Sequence, residues 1–195
     1  MITIIDYGGS NLASLVYSLN RLGVSANISQ DAKVITNSSH VLLPGVTSAS
    51  TAMKNLANLG LIDVIRSLTQ PVLGICLGMQ ILFDHSQEGD ITCLSIIPGK
   101  VKKLIPSDNL TVPHMGWNAL LNVSDIAIMK GVAEQSYVYY VHSYAAPVGS
   151  QTTAVTSHSS DFSAAVQCRN YFGAQFHPER SGSVGSLIIK NFLEL

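Results

Sequence analysis

The apolar residues in the first half of the chain follow two patterns. Short continuous apolar runs, typical of buried strands, alternate with segments in which apolar residues recur every three or four positions, as on one face of a helix. The runs predict strands at residues 2–5, 24–28, 41–43 and 71–75. The periodic segments predict helices at residues 12–22, 53–68 and 77–83. Gly60 interrupts the middle helix, and the alternation as a whole implies right-handed crossovers in a mostly parallel sheet.

Strand-like runs dominate the second half. They lie at residues 96–104, 137–141, 154–156, 162–167 and 172–176, and a final helical pattern covers residues 183–192. Neither a low-complexity linker nor an internal repeat divides the chain. We therefore expect an α/β fold of three layers, in which helices flank a mostly parallel central sheet and a strand-rich antiparallel extension occupies the C-terminal half. Residues 1–195 are predicted to form a single domain.

Charge is scarce in this sequence. Charged residues make up 12% of the chain, where about 25% is typical, and the net charge is −1. A hydrophobic content of 47% can fill a core, which argues against disorder. The lack of a basic stripe argues against binding of nucleic-acid phosphates, and the lack of a basic N-terminal region or a long apolar run argues against a secretory signal or a membrane span. So little charge protects weakly against association, which favours a chain that normally meets a protein partner.

The three cysteines, Cys76, Cys93 and Cys168, are an odd number without paired spacing. This usage is typical of a reducing cytoplasm and argues against a disulfide framework. No Cys or His pair has the spacing of zinc ligands, so we expect neither a metal nor a cofactor.

A candidate nucleophile lies where a predicted strand meets a predicted helix. Cys76 occupies this junction, with Gly74 and Gly78 two residues away on either side. This is the spacing of a nucleophile elbow with Cys in place of Ser, in which glycines permit a sharp turn and a close approach of neighbouring chain. A thiol at a helix N-terminus is favoured as the thiolate by the helix dipole. The alternative is a structural cysteine between two packing glycines.

A candidate base and its orienting acid lie near the end of the chain. His177 and Glu179 flank Pro178 at the end of a predicted strand, so in extended chain both side chains project the same way. A thiol nucleophile needs a base within hydrogen-bond reach, and the base needs an acceptor that holds its tautomer. Cys76, His177 and Glu179 supply these three groups. The alternative is a strand end with a solvated acid.

Together these segments resemble the class I (triad) glutamine amidotransferases, and residues 74–80 and 176–179 carry the resemblance. Further motifs resemble the family of glutaminase subunits of imidazole glycerol phosphate synthases, in order and over essentially the whole chain. They lie at residues 5–12, 43–46, 112–118, 140–144 and 177–182. The resemblance implies a cytoplasmic glutaminase of histidine biosynthesis, which hydrolyses glutamine to glutamate and ammonia. The expected partner is a (β/α)8-barrel cyclase subunit, which uses the ammonia to form imidazole glycerol phosphate and an aminoimidazole carboxamide ribotide.

The resemblance also implies how the triad acts. The thiolate of Cys76 attacks the side-chain amide of glutamine, His177 protonates the departing ammonia, and Glu179 orients His177. The backbone N–H of Leu77 is the first expected donor to the oxyanion, because it lies at the start of the predicted helix. By the family pattern, the second donor is the backbone N–H of Val46.

Glutamine binding is implied by the resemblance alone. The expected substrate-binding residues are Gly45, Gln80, Glu88, His142, Ser143 and Tyr144. The backbone of the last three takes part, and the Glu88 carboxylate pairs with the substrate ammonium. Without the resemblance, Gln80 is an ordinary polar helix residue and Glu88 a solvated acid.

The partner surface is likewise implied by the resemblance. The expected partner-facing residues are Asn11, Trp117, Tyr139 and Arg180. Trp and Arg are enriched at binding hot spots. Alternatively, Trp117 fills the core and Tyr139 packs within an apolar strand.

Thr47 departs from the family pattern, in which a glycine follows Val46. A β-branched residue adopts positive φ and close backbone approach poorly. We hypothesise that Thr47 changes the ratio of basal to partner-stimulated glutaminase activity by restricting the oxyanion loop. The alternative is a loop variation that neighbouring backbone absorbs.

Three other functions remain open from the sequence. The same chemistry could serve another ammonia acceptor, such as a surface-sugar amidotransferase. The chain could also be a catalytically silent scaffold subunit, which the intact triad residues disfavour. A stand-alone cysteine hydrolase is disfavoured because nothing in the sequence indicates a peptide or ester pocket.

Overall fold

The computed structural model describes residues 1–8, 12–107 and 110–195. The first half contains β1 (Ile2–Ile5), α1 (Leu12–Arg21), β2 (Ala26–Ser29), α2 (Ala32–Thr36), β3 (His40–Gly45), α3 (Ala49–Asn58), α4 (Ile62–Arg66), β4 (Val72–Cys76) and α5 (Leu77–Gln80). The second half contains β5 (Phe83–Ser86), β6 (Ile91–Thr92), β7 (Ile97–Lys103), β8 (His114–Ala119), β9 (Tyr137–His142), β10 (Tyr144–Ala145), β11 (Thr152–Ser157), β12 (Asp161–Cys168), β13 (Tyr171–Ala174) and α6 (Gly182–Leu193). Short 3-10 turns lie at Ala127–Met129 and Pro178–Arg180.

The central sheet has the strand order β11-β12-β13-β4-β3-β1-β2. The five strands from β13 to β2 run parallel, and β12 and β11 extend the sheet antiparallel at one edge. Every residue of β1, β4 and β13 is buried, as expected for parallel strands covered on both faces. The predicted mostly parallel sheet with an antiparallel extension is confirmed.

Helices cover both faces of this sheet. Alternate strand residues point to opposite faces, so Ile5 and Leu43 belong to one apolar cluster while Ile4 and Leu42 belong to the other. The first cluster also contains the buried hydrophobic residues of α3 and α4, and the second contains those of α1 and α6. The predicted three layers are confirmed. No helix in the described ranges is both long enough and apolar enough to cross a membrane.

One local prediction is wrong, and several short elements were not predicted. The helix predicted for residues 77–83 ends at Gln80 because the backbone N–H groups of Ile96 and Ile97 both donate to the carbonyl of Leu82, at 2.9 Å, and draw the chain into β5. Helix α2 and strands β5, β6, β8 and β10 were not predicted. The break at Gly60 is confirmed, since it separates α3 from α4 with a φ of +65°.

The carboxyl ends of three neighbouring parallel strands form the edge that concerns function. Gly45 at the end of β3 lies in register with Cys76 at the end of β4, and Ala174 at the end of β13 pairs with Ile75. The chain continues from Ala174 directly toward His177. Open α/β sheets bind ligands at this edge, so the topology alone brings the predicted nucleophile and base together.

Candidate active site

Cys76 has a backbone conformation that few residues with side chains adopt. Its φ is 54° and its ψ is −110°, in a region that costs a non-glycine residue about 1–3 kcal/mol. A Cβ on Gly78 would overlap the carbonyl oxygen of Leu43, and a Cβ on Gly74 would lie 2.6 Å from the carbonyl oxygen of Gly78. Close packing therefore excludes side chains at both glycines, as the elbow pattern predicts.

The thiol of Cys76 lies at a cavity of about 270 Å³. All eleven residues predicted for the triad, the oxyanion hole and glutamine binding line this cavity, and so does Arg180. Cys76 itself is only 6% exposed. Its Sγ donates to the carbonyl of Val141 at 3.8 Å and accepts from Nε2 of Gln175, also at 3.8 Å.

His177 and Glu179 form a buried hydrogen-bonded pair. Nδ1 of His177 lies 2.9 Å from Oε1 of Glu179, and both side chains are only 9% exposed. A carboxylate can only accept, so Nδ1 carries the proton and Nε2 is left to face the thiol. The predicted pairing is found, but the extended backbone assumed for it is wrong. Pro178–Arg180 is a 3-10 turn, and this turn brings the carboxylate beneath the imidazole.

Strand β9 holds the His177 segment in place. The backbone N–H of His177 donates to the carbonyl of Tyr139 at 2.9 Å. The Ser181 hydroxyl accepts from the Tyr139 N–H at 2.9 Å and donates to the His177 carbonyl at 2.7 Å. Sequence reasoning did not identify this role of Ser181.

The imidazole of His177 favours its charged form. Burial by itself lowers the pKa, but hydrogen bonds and charge interactions with Cys76 and Glu179 outweigh it and raise the pKa of His177 to about 10. A protonated imidazole between a thiol and a carboxylate is the arrangement that stabilises a thiolate.

The predicted oxyanion donors lie in the residue after Cys76 and in the loop after β3, and both residues line the cavity. Leu77 is the first residue of α5, where backbone N–H groups have no partner within the helix. Val46 lies in the loop between β3 and α3 with its side chain 54% exposed. In the same loop, Thr47 is not among the residues with positive φ, so the conformation seen here accommodates its β-branch. Its hydroxyl is buried and makes no hydrogen bond.

Gln80 and Tyr144 are linked by hydrogen bonds at the cavity wall. Nε2 of Gln80 donates to the carbonyl of Tyr144 at 2.7 Å and to Oε1 of Gln175 at 3.0 Å. Both amide hydrogens of Gln80 are thereby used within the protein. A substrate can therefore meet this side chain only at Oε1.

His142 begins a chain of neutral imidazoles behind the cavity. Its Nδ1 donates to the carbonyl of Tyr144 at 2.9 Å, and its Nε2 lies 2.9 Å from Nδ1 of His114. Nε2 of His114 lies 3.2 Å from Nδ2 of Asn118. Burial lowers the pKa of His142 to about 3 and, with the charge of His158, that of His114 to about 4. In the described part of the chain, no three His, Cys, Asp or Glu side chains are grouped to hold a metal ion.

Glu88 is tied to the start of α3. Its Oε2 accepts from the backbone N–H of Ala49 at 2.8 Å, at the end of the loop that contains Val46. The carboxylate thus bridges β5 and the loop while lining the cavity. The alternative of a freely solvated acid is wrong.

The predicted partner-facing residues lie beside the cavity. Trp117 is 54% exposed, which excludes the core-filler alternative, and it pairs across the β8–β9 ribbon with Tyr139. The guanidinium carbon of Arg180 lies 4.9 Å from the centre of the Tyr139 ring. Met115 and Tyr137 extend this exposed apolar face. Asn11 lies outside the described residues.

Gln175 was missed by the sequence reasoning. It lies within the Gly173–Glu179 segment that drew attention to His177, but a polar residue between apolar neighbours gave no sign of contact with the thiol. The signal comes from the structure, because a fully buried polar side chain such as Gln175 must have hydrogen-bond partners in the interior.

Comparison with known proteins identifies the family. A family model described as glutamine amidotransferase class-I matches residues 3–195. The imidazole glycerol phosphate synthase subunit HisH of Xanthomonas euvesicatoria pv. vesicatoria is 47% identical over 194 residues, covering 100% of this chain and 97% of the relative. The HisH subunit of Xylella fastidiosa is similar to the same extent, at 47% identity with the same coverage.

Solved structures share the fold at low sequence identity. A glutamine amidotransferase structure matches with a TM-score of 0.77 at 16% identity, covering 99% of this chain and 97% of that one. The PurLQS structure from Thermotoga maritima matches with a TM-score of 0.68 at 17% identity, again covering 99% and 97%. The family model and the 47% identity to full-length relatives together establish that this chain belongs to the class-I glutamine amidotransferases.

Proposed function

We propose that this chain is the glutaminase subunit of an imidazole glycerol phosphate synthase and supplies ammonia to a (β/α)8-barrel cyclase subunit in histidine biosynthesis. The observation that carries the proposal is the Cys76, His177 and Glu179 triad at the cavity, where His177 is held between the thiol and a buried carboxylate. The 47% identity to HisH subunits supports the choice of synthase.

The first half of the reaction uses the proton held on His177. The Cys76 thiolate attacks the side-chain amide carbon of glutamine, and a C–S bond forms as the carbonyl oxygen becomes an oxyanion. The backbone N–H groups of Leu77 and Val46 stabilise that oxyanion. The C–N bond then breaks, and the imidazolium of His177 gives its proton to the nitrogen, which leaves as ammonia.

The second half regenerates the enzyme. The neutral imidazole of His177 takes a proton from water, and the resulting hydroxide attacks the glutamyl thioester of Cys76. Collapse of the tetrahedral intermediate releases glutamate and the thiolate. Throughout, Glu179 holds the Nδ1 tautomer and offsets the positive charge on the ring.

The exposed face of the β8–β9 ribbon is the proposed cyclase contact. Trp117, Tyr139 and Arg180 form a cluster of two aromatic rings and a cation beside the cavity mouth, and Met115 and Tyr137 widen it with apolar surface. Such residues supply most of the binding energy at protein interfaces. The backbone carbonyl of Tyr139 also accepts a hydrogen bond from the His177 N–H. A partner that contacts the Tyr139 side chain would therefore contact a residue hydrogen-bonded directly to the base.

A glutaminase assay with the cyclase subunit tests the proposal. Glutamate formation is measured for the full chain alone, with the barrel subunit, and with the barrel subunit loaded with its nucleotide substrate. We expect a large increase only in the loaded complex and none with the Cys76→Ser variant. No increase in the loaded complex would contradict the assignment to this synthase.

Complementation separates the remaining alternatives. A histidine auxotroph that lacks its own glutaminase subunit should grow when this chain is expressed with its cyclase. Cys76→Ser should not restore growth at low ammonium. A scaffold function predicts growth with both the wild-type chain and the Cys76→Ser variant. Service to another ammonia acceptor predicts growth with neither of the two.

A further inference from the structure

Gln175 occupies a buried position behind Cys76 and Gln80, both of which line the cavity. Gln175 is 0% exposed and does not line the cavity. Its backbone N–H donates to the carbonyl of Ala164 at 2.8 Å, which continues the sheet beyond the end of β13. The side chain is thus anchored on a rigid element and points from the sheet toward Cys76.

The orientation of the Gln175 amide is determined by its neighbours. The carbonyl of Tyr144 can only accept, so the group that Gln80 turns toward it must be the NH2. That NH2 also lies 3.0 Å from Gln175, whose facing atom must therefore be the oxygen. The NH2 of Gln175 is left to face Sγ of Cys76 at 3.8 Å. No reversal of either amide preserves this set of contacts.

Apart from His177, two polar groups contact the sulfur, and they favour opposite protonation states. The Val141 carbonyl accepts from the S–H group and suits the neutral thiol. The N–H of Gln175 can donate to the sulfur in either state, and it donates more strongly to a thiolate because charge-assisted hydrogen bonds exceed neutral ones. When the thiol ionises, the contact with Val141 loses its hydrogen while the contact with Gln175 strengthens.

We propose that Gln175 is a positioning residue for the glutaminase reaction, which holds Sγ of Cys76 by an N–H···S hydrogen bond and stabilises its thiolate, with Gln80 and the Tyr144 carbonyl fixing the direction of the amide. The role of this hydrogen bond in the glutaminase reaction rests on the proposed function. Its physical content is a property of the resting chain, and this property can be measured without glutamine or cyclase.

Alkylation of the thiol by iodoacetamide tests the inference directly. The thiolate displaces iodide in this reaction, so the rate constant at pH 7 reports the reactivity of the sulfur. Alkylation is located by peptide mass spectrometry, which separates Cys76 from Cys93 and Cys168. Gln175→Met keeps the volume and removes the donor, whereas Gln175→Asn keeps an amide that is too short to reach. Each should slow alkylation of Cys76 about tenfold, the effect of one charge-assisted hydrogen bond.

Gln70→Met is the matched control. Gln70 lies just before β4 begins, at the opposite end of that strand from Cys76. Its Nε2 donates to the carbonyls of Ile35 and Thr36. This variant should leave the alkylation rate unchanged. In the loaded complex, the Gln175 variants should lower kcat by a similar factor. KM should rise less, because Gln175 holds the Gln80 amide but does not itself line the cavity.

A second measurement covers the case in which the Gln175 variants do not fold. The side-chain amide resonances of Gln175 are compared by NMR in the wild-type chain and in Cys76→Ala. Loss of the sulfur should shift them and leave those of Gln70 unchanged. Unchanged Gln175 resonances, or alkylation of folded Gln175 variants at the wild-type rate, would overturn the inference. Failure of the proposed function looks different, because then Cys76 responds to Gln175 but no glutamate is formed.

Discussion

The two sides of the nucleophile differ in how firmly they are held. On the side of β13 and its extension, Gln175 and His177 are buried, and each makes hydrogen bonds through both backbone and side chain. On the side of the β3–α3 loop, Val46 is half exposed and the Thr47 hydroxyl is buried without a hydrogen bond. The groups that prepare the thiolate are therefore preorganised, whereas the loop that carries the proposed second oxyanion donor is tied by Glu88 at its far end, at Ala49. We therefore expect a bound partner to act on the oxyanion side.

Removing the sulfur eliminates the preorganised side. Cys76→Ala should lower glutamate formation in the loaded complex by at least about 10⁴-fold, as loss of a nucleophile does in other triads. Cys168→Ala is the control, since that thiol donates only to the Ile96 carbonyl at 3.6 Å. It should keep activity within about twofold, as expected for a substitution away from the site. Comparable activity in Cys76→Ala and wild type would exclude the triad.

Removing the carboxylate that orients His177 tests the same preorganised side, with a smaller expected loss of activity. Glu179→Gln should lower kcat about 10²–10⁴-fold, because the amide can turn its NH2 toward the ring and select the wrong tautomer. The pKa of His177 should fall from about 10, since Glu179 helps to raise it. An NMR titration of the His177 ring measures the pKa. The control, Glu194→Gln, removes an exposed ion pair with Lys190 and should change neither quantity.

The raised pKa of His177 also determines how the free energy of unfolding changes with pH. The pKa of His177 is raised from 6.5 to about 10, so the folded state binds its proton more tightly than the unfolded chain. Its contribution to the free energy of unfolding is complete below about pH 6.5 and is lost as the pH rises through about 10. In Glu179→Gln, urea unfolding should show a smaller loss of stability over this range.

The elbow itself can be broken without changing any reactive group. Gly78→Ala should lower the free energy of unfolding by about 3 kcal/mol, because the added Cβ overlaps the Leu43 carbonyl and backbone must move. Gly149→Ala is the matched control, since no atom lies within 4 Å of its Cβ position. Urea unfolding should place Gly149→Ala within about 0.5 kcal/mol of wild type. Equal stabilities for the two variants would mean that the elbow adapts.

The smallest expected effect lies on the less constrained side. Thr47→Gly should raise the basal glutaminase rate relative to the stimulated rate by about two- to fivefold, the size of a glycine's added backbone freedom. Thr47→Val keeps the β-branch and removes the unpaired hydroxyl, so it should retain the wild-type ratio. Equal ratios in wild type and Thr47→Gly, assayed with the loaded cyclase, would show that neighbouring backbone absorbs the variation.

Local spacing explains what the sequence could predict. The elbow glycines around Cys76 and the His177 and Glu179 pair are short-range patterns with a physical reason, and the parallel strands follow from continuous apolar runs. Strand β8 escaped prediction because His114, Gly116 and Asn118 interrupt its apolar run, and its large apolar residues Met115 and Trp117 are exposed. The short α5 escaped because its end depends on residues 96 and 97, which are distant in sequence.

Long-range hydrogen bonds explain what the sequence could not predict. Gln80 and Gln175 are 95 residues apart, and no local pattern relates them. The pairing of His177 with Glu179 was predicted from the wrong backbone, because a turn and a strand can both bring residues two apart to the same side. The low charge of the chain indicated a partner without locating it, whereas the exposed Trp117 locates a candidate surface.

The carbonyl of Tyr144 has no acceptor capacity left for a substrate. It accepts from His142 at 2.9 Å and from Gln80 at 2.7 Å, which occupies both lone pairs. Since His142 is neutral and its own acceptor nitrogen is engaged by His114, the donor facing Tyr144 cannot reverse its polarity near neutral pH. A glutamine in the cavity therefore meets Tyr144 through the backbone N–H or the ring, and only an electron-rich part of the ligand, such as its α-carboxylate, suits that N–H.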